Sequence, residues 1–497
     1  MLQNAQKTAR KGFYDLDLFF NPKEEVVIGG PLPSKFLNFY PGTRVRISNA
    51  TIQLLDGATL LVREGAWLEL HSCSIVGQGH AWGLVKARGE MAVLKMVKCD
   101  VHSLGWDAAA KALTKTADPQ YEDMLGDAVQ VSMGATASLA YCRLQAVHGG
   151  GLFVLGSELN GDVNSSSATA HYCEAEGTQG AGFAAMDGAT LQLEGCSTTR
   201  CVVGFLATGS RSLLQASPGC SDIASSSAGF WARDGGHLVA GDRCSTRQND
   251  HAGFRASGEQ ARMEAGMGCS AEGIGGPGFH ADDSAVLMVG KGSVVRNSEV
   301  GFQAGSKRNI TAPDPANIVV GPDCRSENNG LGFLADNGSR LIAGDDCLAF
   351  NSRGSGFIAS GYSTLQAGSN CKALRSRRHG FYATTMQGSA ADDTFGPAGS
   401  RMLLGKGAAA VCNMGCGFLA EGSTTQLQME GSCSAEGNRE YGISIKGGAV
   451  VAVLGTCTAL GNGQAAYHII DGDGVLQMDG LDQGSRGADA GDDKDKE

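Results

Sequence analysis

Thirteen of the sixteen cysteines fall at one phase of a repeating pattern that runs from Cys73 to Cys457. Thiols in a periodic file could cross-link, ligate a metal or react as thiolates. If the repeats stack as parallel strands, equivalent side chains stand about 4.8 Å apart and point the same way. A disulfide needs its Cβ atoms at about 3.5–4.5 Å. Tetrahedral zinc needs four ligands converging on a point, and a single file does not converge. The spacing therefore predicts reduced, buried thiols serving as small hydrophobes. Ser293 and Ala408 fill two slots in the file where Cys is missing. Cys201, Cys412 and Cys416 lie off this phase. The last two form "CNMGC", with no second pair and no histidine at ligand spacing, so the sequence predicts neither a metal centre nor a cofactor.

Such a file needs a repeat to position it. The landmark Gly-Phe-x-Ala recurs at Gly182, Gly204, Gly229, Gly253, Gly278, Gly301, Gly332, Gly356, Gly380 and Gly417, mostly at intervals of 22 to 25 residues. Phe and Ala sit two apart, which is the period of a strand and not of a helix. A second short strand follows in each repeat, as in Leu238 and Ala240 or Leu365 and Ala367, and Asp, Asn, Gly and Ser lie between the two. One coil of this length cannot bury its own apolar side, but stacked coils can. The expected fold is all-β: a right-handed parallel β-helix solenoid of about 15 coils. Leucine-rich repeats require a different Leu/Asn pattern, and propeller blades run to about 40 residues or more.

Gly accounts for 74 of 497 residues and charged residues for 18 %, which suits many tight turns and excludes a charge-rich disordered chain. The formal charge of −11 and the absence of a long basic run argue against nucleic acid. No apolar stretch is long enough for a membrane span, and the N-terminus lacks the apolar region of a secretory signal. With a file of reduced thiols, this predicts an intracellular, cytoplasmic protein. Residues 1–43 read as an N-terminal extension and cap, and 44–480 as the β-helix. Inserts are expected at 107–125 (helix-like), 157–168, 306–317 and 386–401. Residues 481–497 read as a disordered acidic tail.

The Gly-Phe-x-Ala strands and the turns "LIAGDDC" and "LQAGSNC" resemble the pectin-lyase-like right-handed β-helix superfamily over about residues 45–480. That resemblance implies the fold. Members range from pectate lyases, polygalacturonases and carbohydrate epimerases to adhesins and ubiquitin-ligase adaptors, so it implies no single chemistry. Hydrolases of this kind carry N-T-D, D-D, G-H-G and R-I-K in order, with one carboxyl protonating the leaving oxygen and another activating water. This chain offers Asp345-Asp346, then Arg378-His379-Gly380, then Ser444-Ile445-Lys446. Asp345, Asp346, His379 and Lys446 are thus the candidate set for a lyase or hydrolase acting on acidic, pectin-like glycans. No N-T-D precedes them, and both acids occupy a turn slot that varies from coil to coil.

The residue between Phe and Ala must point outward. Down the stack this row includes Leu206, Trp231, Arg255, His280, Gln303 and Tyr382, and eight of its twelve members are apolar. A solvated sheet face should be mostly polar, and a contiguous apolar face marks either an interaction surface or a covered one. The sequence thus predicts a non-catalytic scaffold binding a polysaccharide or protein partner along this row. The alternatives are the enzyme above and a purely structural repeat whose inserts fold over the row.

Overall fold

In the computed structural model, the described residues are 14–19, 25–28 and 36–478, apart from 56–57, 79–83, 105–125, 146–148, 160–161, 306–314, 386–398 and 471–473. The expected helix-like insert, the centres of the two later inserts and the tail lie outside them. The described residues form strands and turns without a helix, so none is long and apolar enough to cross a membrane.

One coil illustrates the whole chain. Ala228–Arg233 lies in sheet 1 and His237–Ala240 in sheet 2, and Ser245–Arg247 lies in sheet 3 before the chain re-enters sheet 1 at Ala252–Ser257. Each strand pairs in parallel with its equivalent one coil on: Phe230 with Phe254, Leu238 with Met263, Thr246 with Ala271. Sheet 2 contains 18 strands and sheets 1 and 3 contain 17 each, which makes a right-handed parallel β-helix solenoid. Alternation sends Phe230, Ala232, Leu238, Ala240 and Cys244 inward, where all are buried.

Identical residues at identical phases build internal files. Ten phenylalanines from Phe183 to Phe418 stack ring on ring, with centroids 4.4 to 5.7 Å apart. The landmark glycine keeps its backbone in the ordinary region. Its role is close approach, because a Cβ on Gly253 would lie 2.6 Å from the carbonyl oxygen of Gly278. The cysteines are all free thiols, and those of the file are buried except at its last member, Cys457. The file does more than fill a corner. The thiols of Cys269, Cys324 and Cys371 donate to turn carbonyls of the preceding coil, Gly241, Gly290 and Gly344, at 3.2 to 3.3 Å. Ser293, the replacement in the file, donates to Gly290 O at 2.9 Å. Burial pushes the Cys220 thiol up to about 12, which keeps it protonated and inert.

A file not foreseen runs along the corner between sheets 3 and 1. Asn438 Nδ2 donates to Ala410 O and to Asn462 Oδ1, both at 3.0 Å, while Asn438 Oδ1 accepts Asn413 Nδ2 at 2.9 Å. Each amide thus satisfies a backbone carbonyl that the corner would otherwise orphan. The N-terminal segment also differs from expectation. Tyr14–Phe19, Glu25–Ile28 and Phe36–Phe39 pair in register with Thr43–Ser48, Thr51–Leu54 and Thr59–Arg63, so the segment read as a cap supplies a coil of its own. It escaped the repeat pattern because it lacks the Gly-Phe-x-Ala landmark. In the insert at 157–168, Ser157–Leu159 and Asp162–Asn164 pair as a short antiparallel hairpin.

Candidate functional site

The outward row exists as one vertical column on sheet 1. Leu206, Trp231, Arg255, His280 and Gln303 are consecutive register partners, and Tyr382 follows after Leu334 and Ile358. Half of the twelve positions are buried and half are half-buried. Ala184 sits under an apolar cluster with Phe153, Leu206 and Trp231, and Leu334 and Ile358 pack with Val300 and Tyr382 in a second one. The longest stretch without a fully buried member is Leu206 through His280, four successive half-buried coils that begin within the first cluster and end before the second.

Here a second outward column joins the first, formed by the residue after Ala. It brings Arg233, Ser257 and Asp282 beside the row. Trp231 Nε1 donates to Ser257 Oγ at 2.7 Å, which fixes the plane of the indole. The Arg255 guanidinium lies 4.8 Å from the ring centroid, and that of Arg233 lies 5.5 Å from it. Arg255 Nη2 donates to Asp282 Oδ2 at 2.7 Å, and Asp282 is almost fully buried. Arg255 Nε and Asp282 Oδ1 have no hydrogen-bond partner. His280 Nε2 lies 3.2 Å from Gly305 O, a carbonyl that also accepts from Gln303 Nε2 at 3.2 Å. Donation to that carbonyl puts the proton of a neutral ring on Nε2 and leaves Nδ1 as an acceptor, 3.9 Å from Asp282 Oδ2. Burial holds the imidazole below its usual range, and Asp282 partly opposes that shift. The result is a fixed aromatic plate edged by a guanidinium, a neutral imidazole, a carboxylate and an amide. Sequence reasoning found the column from its period of two, but missed Asp282, whose slot after Ala reads as the start of a turn.

The four residues of the enzyme-like set are divided between two sides of the coil. Asp345 and Asp346 lie at the corner between sheets 2 and 3, where Asp345 Oδ1 accepts Ser369 N. Asp242 does the same for Met267 N at this corner of an earlier coil. Asp346 has φ near 59°, like Asp323 and Asn370 at the same corner, so this slot serves the turn. His379 and Lys446 lie on the side of sheet 1. His379 packs against Tyr382 with ring centroids 5.2 Å apart, and burial pushes its imidazole down to about 4. Lys446 follows Glu421 in register, and Glu421 Oε2 accepts the Tyr382 hydroxyl at 2.6 Å. The structure therefore brings His379, Tyr382 and Lys446 into one neighbourhood and leaves Asp345 and Asp346 out of it.

No protein-family profile matches the chain, and no curated protein matches it. Similar solved structures include the periplasmic alginate epimerase AlgG, 10 % identical, covering 86 % of this chain and 78 % of that one with a TM-score of 0.26. The A-module of the Azotobacter vinelandii mannuronan C-5 epimerase AlgE4 is 12 % identical, with coverages of 87 % and 91 % and a TM-score of 0.25. The catalytic domain of a GH87 alpha-1,3-glucanase in complex with nigerose is 10 % identical, with coverages of 96 % of this chain and 65 % of that one and a TM-score of 0.24. Likeness this low carries no argument about activity.

Proposed function

We propose that this chain is a rigid β-helix that holds an extended saccharide along the outer face of sheet 1, across Leu206, Trp231, Arg255 and His280. The observation that carries the reading is the immobilised Trp231 ring, held by Ser257 and flanked by two guanidinium groups in the accessible stretch of the column. An aromatic plate takes the apolar face of a sugar ring, and polar groups at fixed positions take its hydroxyl or carboxylate oxygens.

A panel of immobilised acidic and neutral glycans tests this. Wild-type protein should be captured by a subset, and Trp231→Ser should lose most of that capture while its thermal unfolding stays cooperative. Capture unchanged in Trp231→Ser, or no capture of any glycan by the wild type, would discard the reading.

One observation favours a catalytic variant of the same site: the His280 imidazole, kept neutral by burial, carries an unbonded Nδ1 beside a carboxylate and a guanidinium. A neutral imidazole can take a proton at Nδ1. Incubation with polygalacturonate and alginate, followed by absorbance of unsaturated products and by reducing-end assay, separates the two. Turnover abolished by His280→Ala would establish the enzyme, and no turnover with capture intact would leave the scaffold.

A further inference from the structure

We propose that His379, Cys416 and Glu440 form a binding site for a divalent transition-metal ion of the zinc class, built by three successive coils at the corner between sheets 3 and 1. One ligand atom from each residue, an imidazole nitrogen, a thiol sulfur and a carboxylate oxygen, lies within 4.8 Å of the other two. The Cys416 Sγ to Glu440 Oε2 distance is already 3.4 Å. Bonds of about 2.0–2.3 Å to a tetrahedral ion place ligand atoms somewhat closer than 4 Å, so side-chain adjustment alone closes the triad.

Three further observations set this corner apart. The slot before the landmark glycine holds Ala228, Ala252, Pro277, Val300, Leu331 and Ser355 in earlier coils, and then His379, Cys416 and Tyr441 in succession. Small or apolar residues satisfy the fold at this slot, so the change to His and Cys is not demanded by packing. Cys416 also stands outside the thiol file, which lies at the opposite corner, and its thiol turns toward a carboxylate instead of a turn carbonyl. Finally, Gly415 leaves the space that the imidazole occupies: a Cβ there would lie 2.6 Å from His379 Nδ1. The Cys416 N–H donates to Nδ1 at 3.0 Å and aims the ring at the Cys416 coil. A metal on that nitrogen replaces one neutral hydrogen bond.

The donor set fits the ion. Mixed thiolate, imidazole and carboxylate ligands suit zinc and its neighbours rather than magnesium or calcium. Thiolate plus carboxylate gives two negative charges against a dication. A thiol must lose its proton to ligate, so binding of the ion releases one. Three protein ligands leave a fourth position open. The sequence pattern concealed the site because the ligands come from different coils, 37 and 24 residues apart.

The test uses the full chain, reduced and stripped with a chelator, titrated with Zn²⁺ against a chromophoric competitor and, separately, with Co²⁺. The expected result is one tightly held equivalent and a thiolate-to-cobalt charge-transfer band. Cys416→Ala should abolish the band, Glu440→Gln should weaken Zn²⁺ binding by about tenfold or more, and Cys412→Ala, at an exposed thiol, should change neither. Circular dichroism and thermal unfolding verify that each variant is folded. Should Cys416→Ala fail to fold, Glu440→Gln decides alone. No tight equivalent in the wild type, a band that survives Cys416→Ala, or unchanged affinity in Glu440→Gln would each overturn the proposal.

Discussion

Asp222 is a carboxylate facing into the solenoid, at a slot of sheet 3 where the neighbouring coils place Thr198 and Thr246. Thr198 Oγ1 and Ser225 Oγ each donate to its Oδ1 at 2.6 Å, and Oδ2 has no partner. Burial outweighs these hydrogen bonds and pushes the carboxyl up to about 6. A raised folded-state pKa means that the stabilising proton is fully present below the unfolded value near 3.8 and is lost as pH rises through about 6. Near neutral pH the ionised group then weakens the fold by an amount on the order of 2–3 kcal/mol. Asp222→Asn should therefore gain stability relative to wild type as pH goes from 4 to 8. Denaturant midpoints at the two pH values measure it, and a difference independent of pH would refute the assignment. The residue scale also shows where the sequence was legible. The thiol file could be read from phase alone, since only a stacked coil returns the same residue to the same corner. The thiol-to-carbonyl bonds could not, although Ser293 in a Cys slot was a signal: a hydroxyl and a thiol share a donor, and an alkyl group does not.

At the scale of the element, the corner between sheets 3 and 1 is held by amides. Asn438 serves three neighbours at once: the backbone carbonyl of Ala410, the side chain of Asn462 and the N–H and amide of Asn413. Replacing it with Ala strands buried donors and acceptors, each costing about 1–3 kcal/mol. Asn438→Ala should lower the unfolding midpoint clearly, whereas Gln192→Ala, at an exposed amide-to-amide contact with Gln215, should leave it nearly unchanged. Equal effects in thermal unfolding would show that the ladder carries no special load. This file was written in the sequence as Asn413, Asn438 and Asn462, but Ser and Thr share the slot in earlier coils, and all three types also mark ordinary turns. The candidate site was half legible for a related reason. Strand period places Trp231, Arg255, His280 and Gln303 in one column, but it cannot say which of them find a partner. That depended on Asp282, and on Gly305 O closing over two side chains. The first coil was illegible because register alone, and no landmark residue, assigns Tyr14–Phe19 to the stack.

At the scale of the molecule, each coil touches chiefly the coil above and the coil below, so stability should be close to a sum of coil and interface contributions. The files then act as a ruler. Phe333 and Phe357 are register partners 24 residues apart. Removing Phe333 through Gly356 joins Gly332 to Phe357 and returns every file to phase: Phe302 meets Phe357, Ile318 meets Leu365 and Cys324 meets Cys371. The shortened chain should fold, elute as a compact species and unfold cooperatively, with glycan capture at Trp231 and metal binding at Cys416 both retained, since no side chain assigned to either site lies in the lost coil. Removing only Phe333 through Gly344 takes out half a coil and brings a sheet 3 strand to the sheet 1 position, with polar turns facing the phenylalanine stack. That chain should aggregate or lose its cooperative transition. Circular dichroism, gel filtration and thermal unfolding of the two deletions compare them directly. If the whole-coil deletion collapsed while the half-coil deletion folded, or if both behaved alike, vertical registry would not be what holds this molecule together.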